Sequence, residues 1–124
     1  MTIDHQQFQL QQNEGVHHLH GGVHGLHQQQ WSLVQQTTNA VVLRCELADG
    51  HNGYPGPCVF QVSYQLSEPT SVTTLEGRVV QQSCLTVELQ ASSQRATLIG
   101  PTLHPYFNLA APMQTAAVAG FNTS

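Results

Sequence analysis

A strict alternation of apolar and polar side chains in the middle of the chain limits what it can fold into. Along residues 58–66, Cys, Phe, Val, Tyr and Leu take every second position, with Val, Gln, Ser and Gln between them. Successive side chains of a β-strand point to opposite faces, so this period places the first set on one buried face. Shorter versions of the pattern at residues 41–47 and 85–90 predict two further half-buried strands.

Turn residues separate these strands and complete the prediction of the fold. The densest cluster spans residues 49–57, and Glu76-Gly77 predicts a hairpin turn before a short strand at residues 78–80. No stretch repeats apolar residues at the spacing of a capped amphipathic helix. We predict an all-β fold, mostly antiparallel, with a sandwich favoured over a closed barrel. Further short strands are predicted at residues 8–11, 31–34 and 72–75.

The charge content bounds the partners that the chain can recognise. Only 8% of the residues are charged, the formal net charge is −4, and the three basic residues are scattered arginines. Nucleic acids and anionic membranes select clustered basic residues, so neither is an expected partner. No apolar run approaches the roughly 20 residues that span a bilayer. The polar start lacks the pattern of a signal peptide, and we expect a cytoplasmic location.

Histidines and cysteines raise the question of a metal site. Five of the eight histidines lie between His17 and His27, but no His-Glu-x-x-His motif accompanies them, nor a carboxylate or cysteine pair downstream. Glycines directly follow His20 and His24, which disfavours a helical presentation. The three cysteines are widely spaced, and we interpret them as core residues. We predict no specific metal site and no cofactor.

A second unusual segment, at residues 102–109, combines His104, Tyr106, Phe107 and Asn108. Taken alone, the segment is better explained as a buried aromatic strand with one hydrogen-bonded histidine than as a functional site.

Four motifs taken together are more specific. An Asn-x-Gly at residues 13–15 precedes Leu-His-Gly-Gly at 19–22 and then Trp31. Asp-Gly and Gly-Tyr-Pro-Gly follow within residues 49–56, then a strand at 62–66, and finally His-Pro-Tyr-Phe-Asn-Leu at 104–109. In this order the motifs resemble those of the aldose 1-epimerase (galactose mutarotase) family. The resemblance covers roughly residues 3–110, and residues 111–124 form an unmatched tail.

The resemblance implies that residues 1–124 are a single, partial β domain of a galactose mutarotase-like supersandwich. It implies an enzyme that interconverts the α and β anomers of aldohexoses such as galactose and glucose by acid/base ring opening. Imidazole suits proton transfer near neutral pH. By resemblance, His104 is the proton donor, His20 contacts the ring oxygen, and Tyr106 joins them in binding the sugar. The other histidines of the cluster match no catalytic position.

The sequence also departs from the family pattern. The family's general base is a glutamate far toward the C-terminus of a chain well over twice as long, and no glutamate of this sequence sits in that context. Leu103 stands where the family has asparagine before the donor histidine. We therefore predict a weakly active or inactive chain that self-associates through exposed strand edges. The alternatives are a non-catalytic carbohydrate-binding domain and a small β-domain whose histidine-rich loop binds metal incidentally.

Overall fold

The computed structural model describes residues 1–107. Asn108 and Leu109 of the last motif, and the predicted unmatched tail, lie outside the described residues. Within residues 1–107 eight strands form three antiparallel sheets. The strands are β1 (Thr2–Ile3), β2 (Gln6–Gln7), β3 (Ser32–Gln36), β4 (Ala40–Leu47), β5 (Cys58–Leu66), β6 (Thr70–Thr73), β7 (Val79–Gln82) and β8 (Leu85–Ser93).

The central sheet has four strands in the order β3-β4-β5-β8. Its register places Cys45 opposite Phe60, and Phe60 opposite Ala91. Directly paired residues share a face, so this row and its neighbours two positions away form one apolar face. Arg44, Gln61 and Gln90 form a row of the other face, which is polar. A sheet with one apolar and one polar face is the unit from which antiparallel sandwiches are built.

The core lies on the apolar face, toward the end where β5 begins. Its buried apolar members within residues 1–107 are Cys45, Cys58, Phe60 and Val62. Burial falls along the same face toward the opposite end, where Leu66 and Leu85 are paired and about half exposed. The alternation along β5 thus marks a strand that is covered at one end and open at the other.

A hairpin, β6 paired with β7, connects β5 to β8 at the open end of the sheet. Every residue of both strands is exposed. Gly77 takes a φ of 77° in the turn, and Thr74 and Arg78 close it with a backbone hydrogen bond of 2.8 Å. The predicted turn at Glu76-Gly77 is therefore confirmed.

The all-β, antiparallel fold is confirmed, and β5 has the predicted bounds. The strand predicted at residues 8–11 is wrong, because only Phe8 continues the pairing of β1 with β2, through hydrogen bonds to Met1, and residues 9–11 pair with no strand. Gln11 N–H donates to the carbonyl of Asn52 at 2.9 Å, and Leu10 faces the pocket described below. Trp31 lies outside β3, and its indole N–H donates to the Leu26 carbonyl at 3.0 Å.

Two short 3-10 turns, Leu26–Gln28 and His51–Gly53, are the helical segments of the described residues. Neither has the length or the apolar content that crossing a membrane requires.

Candidate functional site

A pocket of about 910 Å³ lies at the covered end of the central sheet. Leu47, Cys58 and Phe60 of the apolar face line it, together with loop residues from three parts of the chain. Ligand pockets in proteins commonly measure about 300–1,000 Å³ and combine apolar walls with a few polar groups. The three residues that the sequence singled out, His20, His104 and Tyr106, all line this one pocket.

The backbone around His20 explains why glycines follow it. His20, Gly21 and Gly22 have successive φ values of 51°, 80° and 92°, a left-handed conformation in which a Cβ is unfavourable. Space is also restricted, since a Cβ on Gly22 would lie 2.8 Å from the Asn52 side chain. A Cβ on Gly25 would collide with the His20 carbonyl oxygen. The Leu-His-Gly-Gly motif is thus a tight, crowded reversal of the chain.

Asparagine side chains hold this reversal on both sides. Asn13 accepts the Leu19 N–H at 2.8 Å through Oδ1 and donates to the Leu19 carbonyl at 2.9 Å through Nδ2. Asn52 Nδ2 donates to the Gly21 carbonyl at 2.6 Å. The residues directly before and after His20 are therefore fixed by side chains from elsewhere in the chain.

His18 bridges the same loop to the Gly-Tyr-Pro-Gly segment. Its Nδ1 bonds to the Gln11 carbonyl, and its Nε2 lies 2.7 Å from the Tyr54 hydroxyl. A carbonyl oxygen only accepts, so Nδ1 carries a proton, and Nε2 of the neutral ring accepts from Tyr54. The rings meet edge to face with centroids 5.3 Å apart. Burial raises the pKa of Tyr54, so its hydroxyl stays protonated.

Asp49 organises the loop that carries Tyr54. Its Oδ1 accepts the Gly56 N–H at 2.7 Å, and Arg95 pairs with the carboxylate at 3.3 Å. Gly53 has a φ of 90°, and a Cβ there would collide with the Gln9 carbonyl oxygen. Residues 49–56 thus form a compact loop that needs glycine at position 53 for both conformation and space.

His104 and Tyr106 lie on an extended segment after β8. Their rings stack with centroids 4.9 Å apart and an interplanar angle of 28°. Both residues are exposed, and 88% of Tyr106 is accessible to solvent. The sequence-based interpretation of a buried aromatic strand is therefore wrong for the described part of this segment, because no sheet covers it. The two rings instead face the same pocket as His20.

Six of the eight histidines line the pocket: His18, His20, His24, His27, His51 and His104. Among the described lining residues there is no aspartate, glutamate, lysine or arginine. The site can therefore exchange protons and donate hydrogen bonds through imidazole and phenol groups. Within residues 1–107 no three histidine, cysteine or carboxylate side chains are grouped closely enough to hold a metal ion.

No role was predicted for His18 or His51. His51 Nε2 lies 2.7 Å from the His24 carbonyl, so it stabilises the loop that carries the other histidines. Tyr54 lies 36 residues from His18 along the chain, and His24 lies 27 residues from His51. No local pattern in the sequence encodes such contacts.

Comparison with known proteins places this arrangement in a family. The family described as Aldose 1-epimerase matches residues 1–121. The chain belongs to the aldose 1-epimerase family. Its relatives include the aldose 1-epimerase of Escherichia coli (strain K12), 28% identical over 108 residues, and the galactose mutarotase of Sus scrofa, 32% identical over 109 residues. These matches cover 87% and 88% of this chain.

A maltose epimerase of Levilactobacillus brevis is 34% identical over 110 residues, which is 86% of this chain. In all three relatives the matched part is 28% of the relative's own length. The chain thus spans less than a third of these relatives. No solved structure matches it.

Proposed function

We propose that this chain of the aldose 1-epimerase family binds an aldohexose such as galactose or glucose and supplies the acid side of anomer interconversion. The supporting observation is the single pocket that His20, His104 and Tyr106 share, although His20 lies far from the other two in the sequence. The printed names of the relatives, aldose 1-epimerase, galactose mutarotase and maltose epimerase, support a sugar as the ligand.

In the proposed reaction His104, as imidazolium, donates its proton to the ring oxygen of the sugar. The bond between C1 and the ring oxygen breaks, and the C1 hydroxyl gives its proton to a base as the C1 carbonyl forms. Rotation about C1–C2 and the reverse steps yield the other anomer. His20 hydrogen-bonds the ring oxygen, and Tyr106 presents its ring to the sugar face. Each proton transfer suits a group that titrates near neutral pH.

No carboxylate is among the described residues that line the pocket. We therefore propose that solvent takes the place of a carboxylate general base. An unpositioned base forfeits most of the rate gain that orientation provides. We therefore expect the chain to bind sugar and to accelerate mutarotation little beyond the rate in buffer.

The test combines NMR titration with polarimetry on freshly dissolved α-D-galactose and α-D-glucose. Galactose should shift the resonances of His20 and His104 in the wild-type chain. His17→Ala is the matched control for the His104→Ala variant, because His17 is exposed and does not line the pocket. Absence of any sugar-dependent shift would overturn the proposal. A wild-type rate well above buffer that is lost in His104→Ala would show that the chain carries its own base.

A non-catalytic carbohydrate-binding domain is the second candidate, favoured by the lack of a carboxylate among the described lining residues. Added acetate separates the two functions, because a small carboxylate can replace a missing general base. If His104 is a functional acid, acetate should accelerate mutarotation more with wild type than with His104→Ala. Equal rates with tight sugar binding would favour the binding domain.

Self-association is part of the proposal, because β3 and β8 lie at the edges of the central sheet. An edge strand presents unpaired N–H and C=O groups to a second chain. Sedimentation velocity over a range of concentrations should show reversible dimers or larger species. A monomer at every concentration would contradict this part of the proposal.

A further inference from the structure

His20 has a backbone conformation that needs support from its surroundings. Its φ of 51° is left-handed, and a residue with a Cβ keeps this conformation only where neighbouring contacts enforce it. Asn13 fixes Leu19 and Asn52 fixes Gly21, as described above. The direction of the His20 side chain therefore depends on groups that do not themselves need to touch a ligand.

His18, two residues before His20, is the most firmly held of the pocket histidines. Among the residues described, it is the only histidine with a hydrogen bond at both ring nitrogens. One bond reaches Gln11 at the start of the loop, and the other reaches Tyr54 across the pocket wall. With both nitrogens engaged, His18 is poorly suited to exchanging protons with a ligand and well suited to holding the loop.

We propose that His18 and Tyr54 form a positioning pair for the sugar site, in which the Tyr54 hydroxyl donates to His18 Nε2 and so fixes the segment that presents His20. The inference rests on the proposed function, because it assigns the pair a role through sugar binding at His20. It adds two residues to those that the resemblance implies. Neither residue is a catalytic residue, since both act through His20.

Single substitutions can remove either hydrogen bond of His18 separately. In His18→Asn, the amide nitrogen can replace Nδ1 toward Gln11, but the side chain is too short to reach Tyr54. In His18→Gln, the amide oxygen can replace Nε2 as the acceptor for Tyr54, while the bond to Gln11 is lost. Tyr54→Phe removes the hydroxyl and keeps the ring. Tyr64→Phe is the control, because Tyr64 is also partly buried but does not line the pocket.

Galactose affinity, measured by NMR titration, is the first readout. We expect His18→Asn and Tyr54→Phe each to weaken binding about three- to tenfold, the range for one lost hydrogen bond. The double variant should bind no more weakly than either single variant, because both remove the same interaction. His18→Gln should restore binding to within about twofold of wild type, and Tyr64→Phe should leave it unchanged.

The second readout tests whether the pair acts through His20. Tyr54→Phe should weaken binding in the wild-type background and have no further effect in the His20→Ala background. Equal losses in both backgrounds would show a general structural role and overturn the inference. If the wild-type chain binds galactose and Tyr54→Phe binds it with the same affinity, the inference is overturned and the proposed function stands. A wild-type chain that binds no galactose would overturn the proposed function, and this inference with it.

Discussion

The two ends of the central sheet differ in how tightly packing and hydrogen bonds constrain their side chains. At the site end, where β5 begins, Cys58 and Phe60 are buried and long-range side-chain hydrogen bonds hold the loops. At the hairpin end, every residue of β6 and β7 is exposed, and a Cβ on Gly77 would meet nothing within 4 Å. Packing constraints are thus concentrated where the candidate site lies.

This difference indicates which residues are replaceable. Where side chains from three loops meet one sheet face, each substitution disturbs several partners, and the energetic cost is large. Where a hairpin contacts mainly itself, substitutions on its surface cost little. The comparison can be tested by making the same kind of substitution at both ends.

Truncation of apolar side chains should give the largest contrast. Phe60→Ala removes a buried ring from the core and should lower the free energy of unfolding by about 3–5 kcal/mol. Leu75→Ala in the hairpin should change it by less than about 0.5 kcal/mol, because Leu75 is fully exposed. Urea denaturation followed by circular dichroism measures both values. Similar losses for the two variants would show that the covered end of β5 is not the core.

Glycine substitutions should give the next largest contrast. Gly53 and Gly77 have φ values of 90° and 77°, so alanine introduces a comparable backbone penalty of about 1–2 kcal/mol at each. Only Gly53→Ala adds a collision with the backbone of Gln9, which should cost about 1–3 kcal/mol more. Gly50→Ala, in the same loop with open space around it, should behave like Gly77→Ala in thermal melts.

The sequence predicted the parts of the fold that depend on local pattern. The alternation fixed the bounds of β5, and Glu76-Gly77 predicted the hairpin turn. The prediction of a strand at residues 8–11 failed, since Gln11 bonds to a loop. An alternating pattern does not show which residues a segment will pair with. The pair of His18 and Tyr54 was missed for the same reason, since only the folded chain brings them together. The roles of His20, His104 and Tyr106 stay predictions from family resemblance.

Cys84 at the hairpin end should be alkylated at least about tenfold faster than Cys45 and Cys58 at the site end. Cys84, at the hairpin end, is exposed, whereas Cys45 and Cys58 at the site end are buried. Burial, and secondarily the charge of Glu46, raises the pKa of the Cys45 thiol. Since the thiolate is the reactive form, a raised pKa slows alkylation further. Iodoacetamide labelling at pH 8, followed by peptide mass spectrometry, should find Cys84 modified first.

The same pKa shift predicts a dependence of stability on pH. The folded state holds the Cys45 proton more tightly than the unfolded state does. The protonated thiol therefore contributes to the free energy of unfolding in full below the unfolded-state pKa of Cys45. This stabilisation is lost as the pH rises through the raised pKa of Cys45 in the folded state. Cys45→Ala should therefore flatten the alkaline decline of the melting temperature, and Cys84→Ala should not. Equal alkaline declines in wild type and Cys45→Ala would contradict the assignment.

The smallest effect expected at the site end concerns Asp49, whose carboxylate has two separable roles. Asp49→Asn keeps an oxygen to accept the Gly56 N–H and loses the ion pair with Arg95, in which both side chains are about half exposed. Such pairs contribute about 0–1 kcal/mol and weaken with salt. Asp49→Ala also loses the acceptor and should cost about 1 kcal/mol more. Gln81→Ala, which removes an exposed side-chain bond to Ser71 in the hairpin, should cost almost nothing. If Asp49→Ala also leaves the free energy of unfolding unchanged, side-chain hydrogen bonds do not explain why substitutions cost more at the site end. The crowded glycines and the buried core would then explain it.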